Sequence, residues 1–313
     1  MQRFRNILVL TDGSSRSRVA VERAATLAQI SKARLTALSV LEGLPREWLQ
    51  LTAAVHPADL WDVVAKERRQ RLDRLVAGAW TENAGYPTKV LVGSPFIEVI
   101  KEVIRQKHDL VMMVADGEGG VRDVLFGATS TRLMRKCPCP VWVLKSGRRR
   151  NYARVLAAVD PAPSDADHTS MNLKIVELAS SLARLEGSLL HLVHAWTPET
   201  QRIWRLGSRL NDSEVAEIDR AGRDAHSNCF DELIARVPTE DLRMQRHLLK
   251  GDAGDLIPRL ASRLGIDVIV MGTVCRIGVP GLLIGNTAEK VLRRVSCSVL
   301  TVKPEGFVSP VTL

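Results

Sequence analysis

One apolar segment occurs twice in the chain, as Asp109-Leu-Val-Met-Met-Val114 and as Asp267-Val-Ile-Val-Met-Gly272, at a spacing of 158 residues. The residues that follow each copy align at the same spacing without a gap. The matched positions are Gly127 with Gly285, Thr129 with Thr287, Arg132 with Lys290, Arg135 with Arg293, Cys139 with Cys297 and Lys145 with Lys303. A repeat of this length indicates a duplicated domain, since solenoid repeats are only about 20–50 residues long.

The beginnings of the two copies also match. Ile7-Leu-Val-Leu-Thr-Asp12 is similar to Val155-Leu-Ala-Ala-Val-Asp160, now at a spacing of 148 residues. A length of 313 residues fits two domains of ordinary size. The join falls in the short polar segment 146–151, which predicts domains at 1–147 and 152–313.

Each copy alternates short, continuously apolar runs with segments of helical periodicity. The predicted strands of the first copy are Asn6–Leu10, Arg34–Val40, Lys89–Val92, Leu110–Val114 and Val141–Leu144, and those of the second fall near 154–158, 188–194, 246–250, 267–271 and 298–302. Strands that are apolar throughout and separated by helices indicate a parallel sheet covered on both faces. The predicted fold class is α/β, with two doubly wound parallel-sheet domains in tandem.

Composition places the chain among ordinary globular proteins, with 45% hydrophobic and 25% charged residues. It has no apolar run of the length that spans a membrane, and its first apolar run ends too soon for a signal peptide. The five cysteines are dispersed, which favours a reducing compartment over a disulfide framework. We therefore expect a cytoplasmic protein.

The net charge of +9 comes from the first half, where residues 1–150 hold 25 Lys and Arg against 15 Asp and Glu. The excess includes the segment 66–74 and the run 148–150. Such a half could bind an anionic partner, but the more common interpretation is a solvated helix face and a charged linker. No aromatic residue stands within these basic segments, so nucleic acid is not an expected partner.

Ligands of a doubly wound sheet bind beyond the carboxyl ends of the strands, where the strand order reverses. Asp12 and Asp160 follow the first strand of each copy, and a carboxylate there can accept hydrogen bonds from a ribose or an amine. Gly127-Ala128-Thr129 and Gly285-Asn286-Thr287 each begin a helix, where a backbone without a Cβ can approach a phosphate. The alternative is that these residues only cap a loop and a helix.

The segment 272–294 resembles the signature of the universal stress protein family, whose nucleotide-binding members read Gly-x2-Gly-x9-Gly-Ser/Thr. The duplicated layout resembles the tandem type of that family, and the resemblance covers both halves. It implies the adenine-nucleotide α-hydrolase-like fold, with ATP or another adenine nucleotide as the possible cofactor. The candidate binding residues are Asp160, Gly272, Gly285, Asn286 and Thr287 in the second copy, and Asp12, Gly117, Gly127 and Thr129 in the first.

Both copies depart from the nucleotide-binding pattern. In the second copy, Cys275 stands where the family has a glycine, and Asn286 replaces the Ser/Thr. In the first copy, Val114 replaces the first glycine, and Ala128 replaces the Ser/Thr. Cys275 adds a side chain where backbone would approach a phosphate, and Val114 replaces a conformationally free residue with a stiff one, so capping remains the competing interpretation in both halves.

Other candidate sites have a structural interpretation that is more common. Cys137 and Cys139 form a local pair without a complementary pair of metal ligands, and His191 and His194 point to opposite faces of a strand. His194 alone could still be a metal ligand. Walker A and nucleophile-elbow sequences do not occur, so we expect no catalytic residue and no metal.

Two long segments, 42–82 and 197–235, could line a pocket for an apolar ligand, although core packing is the more common use of their large side chains. Their large apolar residues are Leu44, Trp48, Leu49, Leu51, Leu60 and Trp61, then Ile203, Trp204, Leu206 and Leu210, with Trp196 just before.

Three hypotheses for function follow. The first is a non-catalytic stress protein whose two domains pair within the chain as a pseudo-dimer, through their last strands as the resemblance implies, with a homodimer as a further possibility. The resemblance also implies survival under stress such as DNA damage. The second is a nucleotide-controlled switch that uses the second domain, with slow ATP hydrolysis. The third is a carrier of a lipid-like ligand.

Overall fold

The computed structural model describes residues 4–43, 57–79, 85–115, 126–145, 151–161, 166–198, 211–273 and 285–313. Contacts between residues divide the chain into two compact units. The described residues of unit 1 run to Lys145 and include Phe307–Leu313, and those of unit 2 run from Asn151 to Gly306.

Unit 1 alternates strands with helices along the chain. Its elements are β1 (Asn6–Leu10), α1 (Arg18–Ser31), β2 (Arg34–Leu41), α2 (Pro57–Ala79), β3 (Thr88–Val92), α3 (Pro95–Gln106), β4 (Leu110–Val114), α4 (Ala128–Lys136) and β5 (Val141–Leu144). The apolar runs that predicted strands β1, β4 and β5 are buried along their whole length. Helix α3 begins at Pro95, a residue that is well suited to the first turn of a helix.

Unit 2 repeats the same order of elements. They are β6 (Arg154–Val159), α5 (Ala166–Glu186), β7 (Leu189–Trp196), α6 (Asp212–Ala235), β8 (Met244–Lys250), α7 (Ala253–Leu264), β9 (Val268–Gly272), α8 (Asn286–Leu292) and β10 (Ser298–Val302). Helices α3 and α7 begin and end 158 residues apart, and α4 and α8 begin 158 residues apart. The spacing found in the sequence is therefore also the spacing of these structural elements.

The strands of both units are arranged in the same way. Unit 1 has the order β3-β2-β1-β4-β5, and unit 2 has the order β8-β7-β6-β9-β10. All the pairs in these two series are parallel. Since right-handed crossovers run in opposite directions from the first strand, the helices cover both faces. The predicted α/β fold with two doubly wound parallel sheets is confirmed.

This order sets the place where a ligand would bind. In each unit the first strand lies between the second and the fourth, so the strand order reverses beside β1 and beside β6. In unit 1 the residues just after β1 and β4 therefore meet at the carboxyl edge of the strands, and in unit 2 those just after β6 and β9 do the same.

Within the described part of the chain, no helix has the length and apolarity needed to cross a membrane.

Candidate functional site

The carboxyl edge of unit 2 is organised around Asp160, the first residue after β6. Asn172 of α5 binds both main-chain groups of Asp160: the N–H donates to Asn172 Oδ1 at 3.0 Å, and Asn172 Nδ2 donates to the carbonyl at 2.7 Å. The Asp160 side chain remains 52% exposed. The backbone is thus fixed while the carboxylate can still contact a ligand.

A pair of histidines lies beside this carboxylate. His194 of β7 is buried, and its Nδ1 is 3.9 Å from Asp160 Oδ1 and 3.3 Å from the Val159 carbonyl. Its Nε2 is 2.9 Å from Nδ1 of His226 on α6, and the His226 ring stacks on Trp196. A carbonyl only accepts, so a proton on His194 Nδ1 satisfies the Val159 carbonyl, and in the neutral ring Nε2 then accepts from His226.

The sequence did not predict this pairing of histidines. His194 was a candidate only as a single metal ligand, and His226 lies 32 residues further along in a helix. Helical or strand periodicity cannot show such a contact, because it depends on how α6 packs on the sheet. Among the described residues, no group of three or more His, Cys, Asp or Glu side chains is placed to hold a metal ion.

The end of β9 is filled by the protein's own side chains. A Cβ added to Gly272 would lie 3.0 Å from Met171 Sδ of α5, closer than such contacts normally come. This glycine is therefore explained by the close approach of α5, without a ligand. Cys275, a few residues further on, lies outside the described residues.

Beyond this strand, Gly285 is buried and donates its N–H to the Thr273 carbonyl at 3.0 Å. Asn286 and Thr287 follow it at the start of α8 and are exposed to solvent. The structure therefore places Gly285 against Thr273, the first residue after β9, and leaves the side chains of Asn286 and Thr287 exposed.

A buried lysine contacts Thr273, the first residue after β9. Lys303, just after β10, is 2% exposed, and its Nζ donates to Thr273 Oγ1 at 2.6 Å. Its carbonyl accepts from Lys174 Nζ at 3.4 Å. The sequence analysis matched Lys303 with Lys145 but assigned neither residue a role.

In unit 1, Asp12 stabilises its own turn. Its Oδ1 accepts from the Ser14 N–H at 2.9 Å, and its carbonyl accepts from Arg68 of α2 at 2.5 Å. Burial alone would raise the pKa of the Asp12 carboxyl, but hydrogen bonds from Ser14 and Ser17 outweigh it and lower the pKa. The next residue, Gly13, has φ of +77°, a conformation that glycine adopts readily.

The second part of the unit 1 site is the start of α4. Gly127 is the N-cap, and its carbonyl accepts from Ser130 Oγ at 2.9 Å. Thr129 is half-buried, and Lys145 Nζ lies 4.6 Å from the centre of the Phe126 ring. Gly117 lies outside the described residues. These contacts agree with the capping interpretation, and they leave ligand binding by Asp12, Gly127 and Thr129 as a prediction.

The two candidate cysteines are buried. Cys137 and Cys139 have their sulfur atoms 3.6 Å apart, and the hydrogen bond between them together with burial raises the pKa of the Cys139 thiol well above its usual value. Such thiols are poor nucleophiles and metal ligands at neutral pH.

Two residues of the proposed apolar pocket lie on α2, where Leu60 is buried and Trp61 is half-buried. The segments 44–51 and 203–210 lie outside the described residues.

Comparison with known proteins gives a match over both units. The model of the Universal stress protein family matches residues 3–145 and 151–303. Universal stress protein E of Escherichia coli strain K12 is 29% identical over 100% of this chain and 98% of its own. This agrees with the resemblance found in the sequence.

Solved structures show the same architecture over nearly the whole chain. A functionally unknown protein from Pseudomonas aeruginosa PAO1 is 26% identical with a TM-score of 0.64, covering 98% of this chain and 95% of that one. A universal stress protein from Archaeoglobus fulgidus DSM 4304 is 20% identical with a TM-score of 0.63, covering 96% and 99%, which bears on the fold alone.

Proposed function

Because this chain belongs to the universal stress protein family, we propose that it is a tandem stress-response protein that supports survival under stress such as DNA damage, with no catalytic activity of its own. The observation that carries the proposal is the family match over both halves, joined to two complete α/β units. Family membership by itself supports a role in the stress response.

A survival assay tests this function. A strain that lacks the gene should survive ultraviolet light or a DNA-crosslinking agent less well than its parent, and a plasmid copy should restore survival. A copy carrying Asp160→Ala and Asp12→Ala should restore it equally if neither carboxylate binds an essential ligand. Unchanged survival of the deletion strain under these and oxidative stresses would contradict the proposal.

The second candidate is a nucleotide-controlled switch in unit 2, and the state of Asp160 favours it. Its main chain is bound on both sides by Asn172 while its carboxylate is half exposed at the switch point. Met171 packed over Gly272 argues in the other direction, since a phosphate would have to displace it.

Calorimetry separates the two candidates. ATP is titrated into the protein with and without Mg²⁺, and Asp160→Ala should remove any heat if unit 2 binds the nucleotide. Asp12→Ala is the matched control, because it removes the equivalent carboxylate of unit 1 and should leave the heat unchanged. Heat that survives Asp160→Ala, or no heat at all, would exclude this switch and leave the first proposal in place.

Pairing of the two domains within the chain, and of two chains with each other, stays a prediction. Native mass spectrometry of the purified protein would show the number of chains directly. The same spectrum would show a co-purified nucleotide or lipid as added mass.

A further inference from the structure

The surface cations of the last helix are neutralised in unit 2. Each cation at or just beyond the end of α8 has a carboxylate partner. The pairs are Lys290 with Asp252 at 3.2 Å, Arg293 with Glu289 at 2.7 Å, and Arg294 with Asp255. The basic residue of α8 and the two that follow this helix therefore all form ion pairs.

Unit 1 keeps these cations and loses the carboxylates. At the 158-residue spacing, the three cations correspond to Arg132, Arg135 and Lys136, whereas Asp252, Asp255 and Glu289 correspond to Ser94, Ile97 and Thr131. The replacement is complete, since none of the three corresponding residues is charged. Helix α4 itself contains three basic residues and no acidic residue.

Two of these cations share an aromatic ring instead. The guanidinium carbon of Arg132 lies 5.0 Å from the centre of the Phe96 ring, and Lys136 Nζ lies 5.4 Å from it. A cation–π contact of this kind orders the side chain and leaves its charge in place. The residue of unit 2 at the position of Phe96 is Gly254.

The carboxylates of α3 are engaged elsewhere. Glu98 pairs with Lys101 at 3.5 Å, on the same helix. Glu102 is 3% exposed and pairs with Lys89 of β3 at 2.5 Å. Neither carboxylate of α3 therefore pairs with the two cations on Phe96, of which Arg132 is exposed and Lys136 is half-buried.

We propose that Arg132 and Lys136, held against the ring of Phe96, bind the phosphate backbone of nucleic acid without reading its sequence; these three residues are here called the α4 cation face. Arginine beside an aromatic ring is suited to phosphate, and residues 1–150 add an excess of ten positive charges that would attract a polyanion. The sequence analysis discounted nucleic acid because the basic segments hold no aromatic residue. The fold supplies one, Phe96, from a point 36 residues before Arg132.

Fluorescence anisotropy with a labelled DNA duplex of about 20 base pairs tests the proposal on the full chain, between about 50 and 200 mM salt. The Arg132→Gln/Lys136→Gln variant should bind about tenfold more weakly at low salt, and its plot of log affinity against log salt should be flatter by about two units. Lys290→Gln/Arg294→Gln is the matched control and should stay within about twofold of the unmodified protein, because those cations are already paired.

A third variant tests charge rather than side-chain loss. Ser94→Asp places a carboxylate where unit 2 has Asp252 and keeps both cations, so it should weaken DNA binding while thermal unfolding shows an intact fold. The proposal is overturned by equal losses in the two double variants or by no binding of the unmodified protein at low salt. Binding only to phosphatidylserine vesicles, or only to polyglutamate, would overturn it as well.

Discussion

At equivalent positions of α3 and α7 and of the elements beside them, the two units carry different kinds of side chain. In unit 1, Glu102 is buried and pairs with Lys89, with His108 nearby; in unit 2 the positions 158 residues later hold Leu260, His247 and Ile266. The strand and helix bounds are nearly the same in both. A duplicated backbone can therefore be kept while the buried carboxylate of an ion pair in one unit is replaced by a buried leucine in the other.

The largest expected effect compares one core position in each unit. Phe230 of α6 and Leu72 of α2 are both fully buried and lie 158 residues apart. Phe230→Ala should destabilise unit 2 by about 3–5 kcal/mol, and Leu72→Ala should destabilise unit 1 by about 2–5 kcal/mol. Urea denaturation with pulsed hydrogen exchange and mass spectrometry reports the two units separately.

Each substitution should lower the urea midpoint of its own unit most. An equal shift of both midpoints by either variant would show that the two units unfold in a single cooperative transition. The two substitutions would then differ only in how far they lower the midpoint of the whole chain.

The second effect concerns the ion pair that only unit 1 has. Lys89→Ala leaves the Glu102 carboxylate buried without its partner and should cost about 3 kcal/mol, toward the low end for buried pairs because the Lys89 side chain is 35% exposed. Glu102→Leu introduces the residue of unit 2 and should cost much less. The free energy of unfolding of unit 1 from urea denaturation decides between them.

If Glu102→Leu is the more damaging of the two, the ion pair stabilises unit 1 beyond what an apolar side chain can supply. The inference that a leucine, as at Leu260, can replace the buried Glu102 would then be wrong.

The strands of this protein could be predicted from its sequence, whereas the contacts between side chains of different elements could not. Continuous apolar runs predicted β1, β4, β5 and β10 to the residue, because strands buried on both faces need no polar positions. The pairing of His194 with His226, and of Phe96 with Arg132, depends on how helices pack on the sheet. No local periodicity records such contacts.

The third effect is a pH dependence that should be steeper in unit 2. His191 and His247 are 3.0 Å apart, and burial followed by the charges of His247 and Arg154 lowers the pKa of His191 to about 4. Burial and the charge of Arg263 lower the pKa of His247 too. The folded unit therefore binds fewer protons than the unfolded chain, whose histidines titrate near 6.5.

Stability of unit 2 should fall as the pH drops through about 6.5 toward 4, by about 2–3 kcal/mol for His191. In unit 1, burial lowers the pKa of His108 while the Glu102 carboxylate raises it, so the loss there should be smaller. Urea midpoints of each unit at pH 7, 5.5 and 4.5 measure both slopes. His191→Leu should flatten the slope of unit 2, and an unchanged slope would assign it to other groups.

The smallest effect lies at the first turn of α3 and of α7, where Asp252 and Ser94 are the equivalent N-caps. Asp252 Oδ1 accepts from the Asp255 N–H at 3.2 Å, whereas the Ser94 side chain makes no capping hydrogen bond. Asp252→Ala should therefore cost unit 2 about 1 kcal/mol, and Ser94→Ala should change unit 1 by less than about 0.5 kcal/mol. A carboxylate at this N-cap also pairs with Lys290, so the difference should shrink as salt is added. Thermal unfolding at low and high salt measures the cost of Asp252→Ala. A cost that does not change with salt would mean that Asp252 stabilises unit 2 by capping alone, with no contribution from its ion pair with Lys290.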